Sequence, residues 1–329
     1  MSKRCSTRRR GLVNIAMVSA FTMLAAPFAT AQEYPVRPVR IVSVTSAGTG
    51  VDDFTRLLAK FLGEKTGQSF VVENKPGANQ IIAHDYVAKS APDGYTLLLT
   101  SASGMSANPY LFKNLSYKPT RNFTPIARLT ALPVALVVPA SSPYRTMDDL
   151  VSAAHAKAGK LNYGTSSAGY RVILAAVHES AGMKSVDVPY KAMSNLLPDL
   201  ITGVVDYSVV EVSAAAPLVQ AGKLRALAIC GPSRVPALAN VPTLAEAGVK
   251  GVSITSWTGL VAPAGTPATI IEKLSQLSQE FVNSPEAQRH FLQRGSAAYG
   301  QGREAFAKTI VDDQAEWKRL ITVAGIQPE

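Results

Sequence analysis

Short apolar runs alternate with stretches whose apolar positions recur every three or four residues. Val39 to Val44 is apolar and rich in β-branched residues at successive positions, the pattern of a strand covered on both faces. After the polar loop Thr45 to Gly50, Phe54, Leu57, Leu58, Phe61 and Leu62 mark one face of a helix that starts near Val51 and stops at Gly63 or Gly67. Phe70 to Val72 predicts a second strand, residues 80–90 a helix, and Tyr95 to Leu99 a strand entered through the turn Pro92-Asp93-Gly94. The same order continues with a strand at Val134 to Val138 and a capping box, Thr146 with Asp149, opening a helix over 147–157. A short strand ends at Tyr163, and a helix runs from about Arg171 to Ser180. Val186 to Val188, a helix near Leu196 to Ile201, Tyr207 to Val210, Leu224 to Ile229 and Thr258 to Val261 follow. Residues 267–324 read as helices, the last with an apolar side at Trp317, Leu320 and Ile321. Such alternation predicts an α/β fold with mostly parallel sheets flanked by helices.

The first residues break this pattern. Arg8, Arg9 and Arg10 precede an apolar run from Leu12 to Ala26, and Ala29-Thr30-Ala31 offers a small-residue cleavage site. That order is a secretory signal peptide over residues 1–31. The run falls short of the roughly 20 residues a membrane span needs. Thr7-Arg8-Arg9 leaves the twin-arginine and general secretory routes both open. Removal of the segment takes Lys3, Arg4, Arg8, Arg9 and Arg10 and no acid, so five of the ten net positive charges leave with it. The remaining excess forms no basic run, which suits attraction of anions better than nucleic-acid binding. Cys5 leaves too, so Cys230, after Leu227-Ala228-Ile229, has no disulfide partner and reads as a small core residue. A mature length of about 300 residues implies two domains.

Four loops that follow predicted strands are rich in Gly, Ser, Thr and Asn: Thr45 to Gly50, Thr100 to Asn108, Thr165 to Gly169 and Pro189 to Asn195. Ligands bind where loops leave the carboxyl ends of parallel strands, and two such loops in each half suit a cleft between two lobes. In the first loop, glycines admit close backbone approach, and the helix from Val51 presents free N–H groups to an anion. Gly48-Thr49-Gly50 is no dinucleotide fingerprint, because Asp53 stands where the third glycine belongs. Asp52 reads first as a helix cap and second as a ligand contact.

A set of segments, in order along the mature chain, resembles the periplasmic binding proteins of tripartite tricarboxylate transporters, the Bordetella uptake gene family. They include Val72-Glu73-Asn74-Lys75-Pro76-Gly77, Ala91-Pro92-Asp93-Gly94-Tyr95-Thr96-Leu97, Gly159-Lys160-Leu161-Asn162-Tyr163, Val188-Pro189-Tyr190-Lys191, Gly222-Lys223-Leu224-Arg225-Ala226-Leu227 and Ala262-Pro263-Ala264-Gly265-Thr266-Pro267. The resemblance implies a two-lobed periplasmic binding protein fold. Lobe one is expected at 33–134 plus 257–329 and lobe two at 135–256. It further implies a monomer that closes around a small carboxylate in the periplasm and delivers it to the membrane components of such a transporter, with no cofactor and no metal.

By the same resemblance, ligand contacts are expected from Ser46, Gly48, Thr49, Gly50 and Asp52 in the first loop and from Ser101 and Ser103 in the second. Thr165, Ser166, Gly169, Tyr170 and Arg171 are expected from the third, and Tyr190 beyond it. Relatives carry small hydroxyl residues where this chain has Tyr170 and Arg171. Arg171 at a helix start is poorly placed for the helix dipole, so either a ligand carboxylate compensates it or an acid across the cleft does. Tyr170 either stacks on an aromatic ligand or simply packs. The family places an acid four residues after the Asp matched by Asp206, and that position is Val210 here. Glu211 is adjacent, but strand alternation turns it to the opposite face, which predicts a more apolar pocket. Together these features favour an aromatic mono- or dicarboxylate such as terephthalate or phthalate. An aliphatic di- or tricarboxylate, or a sensor presenting its closed form to a membrane receptor, is the alternative.

An enzyme is not expected. Gly164-Thr165-Ser166-Ser167-Ala168-Gly169 lacks the Gly-x-Ser-x-Gly spacing of a nucleophile elbow, and His178-Glu179 lacks the second His of a zinc helix. His84, His155, His178 and His290 fall mostly on predicted helices, in packing or exposed roles.

Overall fold

Buried strands arise where the apolar runs are continuous. In the computed structural model, which describes residues 34–293 and 297–328, Arg37–Glu329 forms one compact unit. The signal-peptide reading of residues 1–31 lies outside the described residues. The first half builds β1 (Val39–Ser43), α1 (Gly50–Thr66), β2 (Phe70–Asn74), α2 (Ile81–Ala88), β3 (Thr96–Ser101) and β4 (Phe123–Ala131). Gly67 closes α1: it adopts φ 70° and donates its N–H to the Gly63 carbonyl. The middle builds β5 (Val134–Pro139), α3 (Met147–Ala156), β6 (Leu161–Thr165), α4 (Ala168–Ala181), β7 (Ser185–Pro189), α5 (Met193–Thr202), β8 (Tyr207–Glu211), α6 (Val212–Gln220) and β9 (Leu224–Ile229). The Thr146–Asp149 capping box opens α3, with both of its hydrogen bonds present. The last part adds β10 (Thr258–Pro263), α7 (Ala268–Asn283), α8 (Pro285–Gln293), β11 (Ala297–Gln301) and α9 (Arg303–Val323).

Among the described residues the strands form two sheets, ordered β11-β4-β10-β3-β1-β2 and β7-β6-β8-β5-β9. β1 pairs parallel with β2 and β3, and β6 pairs parallel with β7 and β8. The sheets are nevertheless mixed, which corrects the expectation of mostly parallel pairing. β10 returns from the second sheet and runs antiparallel to β3 and β4, while β5 runs antiparallel to β8 and β9. Local alternation of strand and helix carries no information about a strand that arrives from the other lobe. Two strands also escaped the sequence reading. β4 contains Pro125 and Arg128, which interrupt its apolar run, and β11 lies within a stretch read as helical. β11 is the edge strand and pairs antiparallel with β4, whose Pro125 sits opposite Val261 of β10 at a register shift, a bulge where Pro is tolerated. β5 and β10 are buried along their whole length, which explains their unbroken apolar sequences.

The chain crosses between the sheets at 132–133 and again at 230–257. The crossings touch where the Leu132 N–H donates to the Ser256 carbonyl at 2.7 Å. A third connection is α9. Its first half places Phe306 and Ile310 in the core of the first sheet beside Trp257. Its second half places Trp317, Leu320 and Ile321 in the core of the second, with Tyr207 and Leu227. One helix thus belongs to two cores. Trp317 is 2% exposed, and Trp317→Ala is expected to cost about 3–5 kcal/mol in chemical denaturation. A loss below about 1 kcal/mol would show that α9 does not bind the second core.

His84 is wholly buried on α2, stacked on Tyr117 with ring centroids 4.5 Å apart. Burial lowers its pKa from 6.5 to about 4. Unfolded chains take up this proton near pH 6.5 and the folded protein only near pH 4. The stability tied to neutral His84 is therefore complete above pH 6.5 and is lost as pH falls toward 4, by about 3 kcal/mol over that window. His178, also lowered to about 4 by burial, acts in the same direction. The thermal midpoint followed by circular dichroism is expected to fall between pH 7 and pH 4.5; an unchanged midpoint would contradict the burial of both rings.

Candidate functional site

Three strand-to-helix loops and the two crossing segments meet at one cavity of about 650 Å³. From the first sheet, Thr45, Thr49, Gly50, Val51, Ser101 and Ser103 line it; from the second, Ser166, Ser167, Tyr170 and Met193 do. Leu132 and Ser256 bring the crossing segments to its wall.

Two long helices begin at this cavity. Thr49 is the N-cap of α1, and its Oγ1 accepts from the Asp52 N–H at 3.2 Å. Ser167 is the N-cap of α4, and its Oγ accepts from the Tyr170 N–H at 3.3 Å. The following N–H groups, Gly50 and Val51 in α1 and Ala168 and Gly169 in α4, have no acceptor within their helices. Each terminus also carries the positive end of its helix dipole, worth about 0.3–1 kcal/mol to a nearby anion. α4 approaches the first lobe closely because Gly169 lacks a side chain: a Cβ there would sit 3.2 Å from Ser103 Oγ and 3.3 Å from the Trp317 ring.

The cavity has a polar wall and an apolar wall. Thr130 and Thr258, with hydroxyls 2.9 Å apart, join the serines and threonines of the loops. Gln80 adds an amide. Phe54 and Phe291, whose ring centroids are 4.8 Å apart, face the cavity with Val44 and Leu132. Among the described lining residues there is no Lys or Arg; the ionisable groups are Tyr170, Glu211 and His290.

Glu211 overturns one sequence expectation. It is the last residue of β8 and at once the N-cap of α6, with φ −56° and ψ 136°. No loop separates strand from helix, so the alternation that would turn its side chain away from the cavity ends at Val210. Glu211 lines the cavity, whereas Val210 is fully buried against α6 and α5, with Val212 and Leu200. The pocket therefore keeps a carboxyl at this end, where a more apolar wall was expected. The Tyr170 hydroxyl donates to Glu211 Oε1 at 2.9 Å. Burial, and only then this hydrogen bond, bears on the Glu211 carboxyl, with a net rise in its pKa. The Tyr170 phenol is pushed up as well, by burial first and by the neighbouring carboxylate second.

Of the expected contacts, Thr49, Gly50, Ser101, Ser103, Ser166 and Tyr170 line the cavity. Ser46 and Gly48 are exposed outside it. Asp52 is 2% exposed and serves the loop, accepting from the Gly48 N–H at 2.9 Å, Asn74 at 2.8 Å and Arg56 at 3.0 Å. Gly169 acts through close approach rather than as wall. Thr165, Arg171 and Tyr190 line a second, smaller cavity of about 270 Å³, which shares Ser166 and Ser167 with the first. Thr165 donates to Asp187 at 2.8 Å and Tyr190 to Asp199 at 2.7 Å, so both hydroxyls serve their own lobe. The displacement of Arg171 follows from helix geometry: Tyr170 and Arg171 are consecutive on α4 and point about 100° apart. Gln80, Glu211 and His290 were missed. Gln80 precedes α2 and His290 sits on α8, both remote from the Gly-rich loops that carried the sequence signal.

Among the described residues no helix is long and apolar enough to cross a membrane, and no cluster of His, Cys, Asp and Glu could hold a metal ion.

The chain is similar to several known proteins. A Cupriavidus necator protein named for the gbd 5′ region is 34% identical over 99% of both chains, and a Bordetella bronchiseptica protein is 31% identical over 99% of this chain and 97% of its own. Among solved structures, the Rhodopseudomonas palustris protein Rpa4515 with adipate superposes at TM-score 0.83 and 32% identity, over 90% of this chain and 100% of its own. MatC from the same organism, with bound malate, gives 0.77 and 28%, over 88% and 100%. A family model, the tripartite tricarboxylate transporter family receptor, matches residues 54–326. With its two lobes and its cavity between helix N-termini, the chain belongs to that receptor family of periplasmic solute-binding proteins.

Proposed function

We propose that this protein captures a small organic carboxylate with an apolar body, an aromatic acid such as terephthalate or a phthalate isomer before an aliphatic one, and hands it to the membrane components of a tripartite tricarboxylate transporter after export to the periplasm. The observation that carries the reading is the convergence of the α1 and α4 N-termini on a hydroxyl-rich cavity with no cation among its described lining residues. The ligand carboxylate takes the unbonded amides of one or both helix starts together with Thr49, Ser101, Ser103 and Ser166. Phe54, Phe291 and Leu132 cover its body. Capture proceeds by closure of the lobes about the 132–133 and 230–257 crossings, and contacts made by both lobes at once favour the closed state. The protein binds and releases its cargo unchanged. An aliphatic dicarboxylate is the second reading, favoured by the adipate and malate held by two relatives.

Calorimetric titration with terephthalate, benzoate, adipate and malate tests the class. Heat from the aromatic acids is expected; heat from the aliphatic acids alone would discard the aromatic preference, and no heat from any of them would discard the carboxylate reading.

Glu211 makes a further distinction. A dicarboxylate that reaches it brings two carboxyl groups together, and one of them must hold a proton. Since the Glu211 pKa is already raised by burial, dicarboxylate affinity is expected to increase as pH falls from 8 to 5.5, with net proton uptake on binding. Glu211→Gln is expected to bind dicarboxylates about tenfold more tightly at pH 8 and to lose most of that pH dependence. Benzoate affinity would change little. Weaker dicarboxylate binding by the variant would instead assign Glu211 to a hydrogen-bond donor on the ligand.

A further inference from the structure

Three successive residues that are not glycine occupy left-handed backbone conformations just before α2. Ala78, Asn79 and Gln80 have φ of 44°, 49° and 76°. This region is disfavoured for residues with a Cβ, so surrounding contacts must hold it. Asn108, 1% exposed, donates from Nδ2 to the Asn79 carbonyl at 2.8 Å. His84 Nδ1 lies 2.8 Å from the Gln80 carbonyl, and its Nε2 lies 2.7 Å from Thr100 Oγ1. A carbonyl only accepts, so Nδ1 carries the proton and Nε2 accepts from the Thr100 hydroxyl. The ring is kept neutral by burial, and it has space only because residue 104 is glycine: a Cβ there would come 2.2 Å from His84 Cε1 and 2.9 Å from Gln80 Oε1.

The product of this bracing is one side chain in the ligand cavity. The Gln80 amide lies against Ser101 Oγ, with Nε2 at 2.8 Å and Oε1 at 2.9 Å. Whichever way the amide is turned, Ser101 uses at most one of its two N–H donors.

We propose that Gln80 is a specificity-determining residue that donates an amide N–H to an oxygen of the bound carboxylate, and that His84 is the positioning residue holding the left-handed turn that aims it. The proposal rests on the carboxylate reading given above. It assigns to the first lobe a neutral directional donor, in a cavity with no cation among its described lining residues.

Glycine at position 80 relieves the backbone while deleting the amide, so binding and stability separate. Gln80→Gly is expected to keep or raise the thermal midpoint yet bind terephthalate and adipate about tenfold more weakly in calorimetry. Gln80→Glu, of equal size but with acceptors only, is expected to weaken both by more than the glycine variant. His84→Ala is expected to approach the weakened affinity of Gln80→Gly, and the double variant to lose little more, which a purely structural role of the ring would not produce. Wild-type affinity in both Gln80 variants would overturn the role of Gln80 alone. Additive losses in the double variant would overturn the positioning role of His84. No heat from the wild-type protein with either acid would overturn the inference together with the carboxylate reading beneath it.

Discussion

The whole site depends on backbone amides that the fold leaves without partners. An α-helix cannot satisfy its own first N–H groups, and leaving such a donor buried and unpaired costs about 1–3 kcal/mol. In this protein two helices, α1 and α4, spend that deficit at the same place, one from each lobe. On the proposed reading, water satisfies the amides while the lobes are apart, and the ligand carboxylate satisfies them when the lobes close. Thr49 and Ser167 each occupy one amide of their own helix and leave the others aimed outward. The charge that would attract the proposed carboxylate is therefore distributed over peptide dipoles. It does not titrate, and it needs no long side chain to be ordered on binding.

Much else in the structure keeps those two termini in register. Asp52 knots the first loop to Arg56 and Asn74. Gly169 lets α4 come within contact of Ser103 and Trp317. The Leu132–Ser256 contact ties the crossings together beneath the cavity. Among the described lining residues the ionisable groups are Glu211 at the β8–α6 junction, Tyr170 in the first turn of α4 and His290 on α8.

The sequence disclosed these termini well and the rest of the cavity poorly, for reasons that differ by residue. Thr49, Gly50 and Ser166 follow strands in polar loops, where a local pattern carries the signal. Glu211 was misplaced because a strand-alternation rule was applied across a residue at which the strand had already become a helix. Asp52 and Tyr190 have the right chemistry, but partners 22 and 9 residues away claim their polar atoms, and such pairing leaves no trace in periodicity. Gln80 could have been suspected only from strain, and backbone strain is invisible until φ is known. β4 and β11 were lost for the related reason that their partners lie far along the chain.

The last helix carries a consequence for how the chain comes to be folded. Residues 317–321, near the carboxyl end, fill the interior of a lobe whose other members lie between Ala107 and Ile254. A chain made from the amino end therefore cannot finish either half until residues 306–321 have emerged, because Phe306 and Ile310 complete the first half in the same segment. Premature closure is thereby delayed until residues 306–321 have been made. A polypeptide that has to be threaded across a barrier before it folds gains an interval of unfolded length from this one placement of a helix.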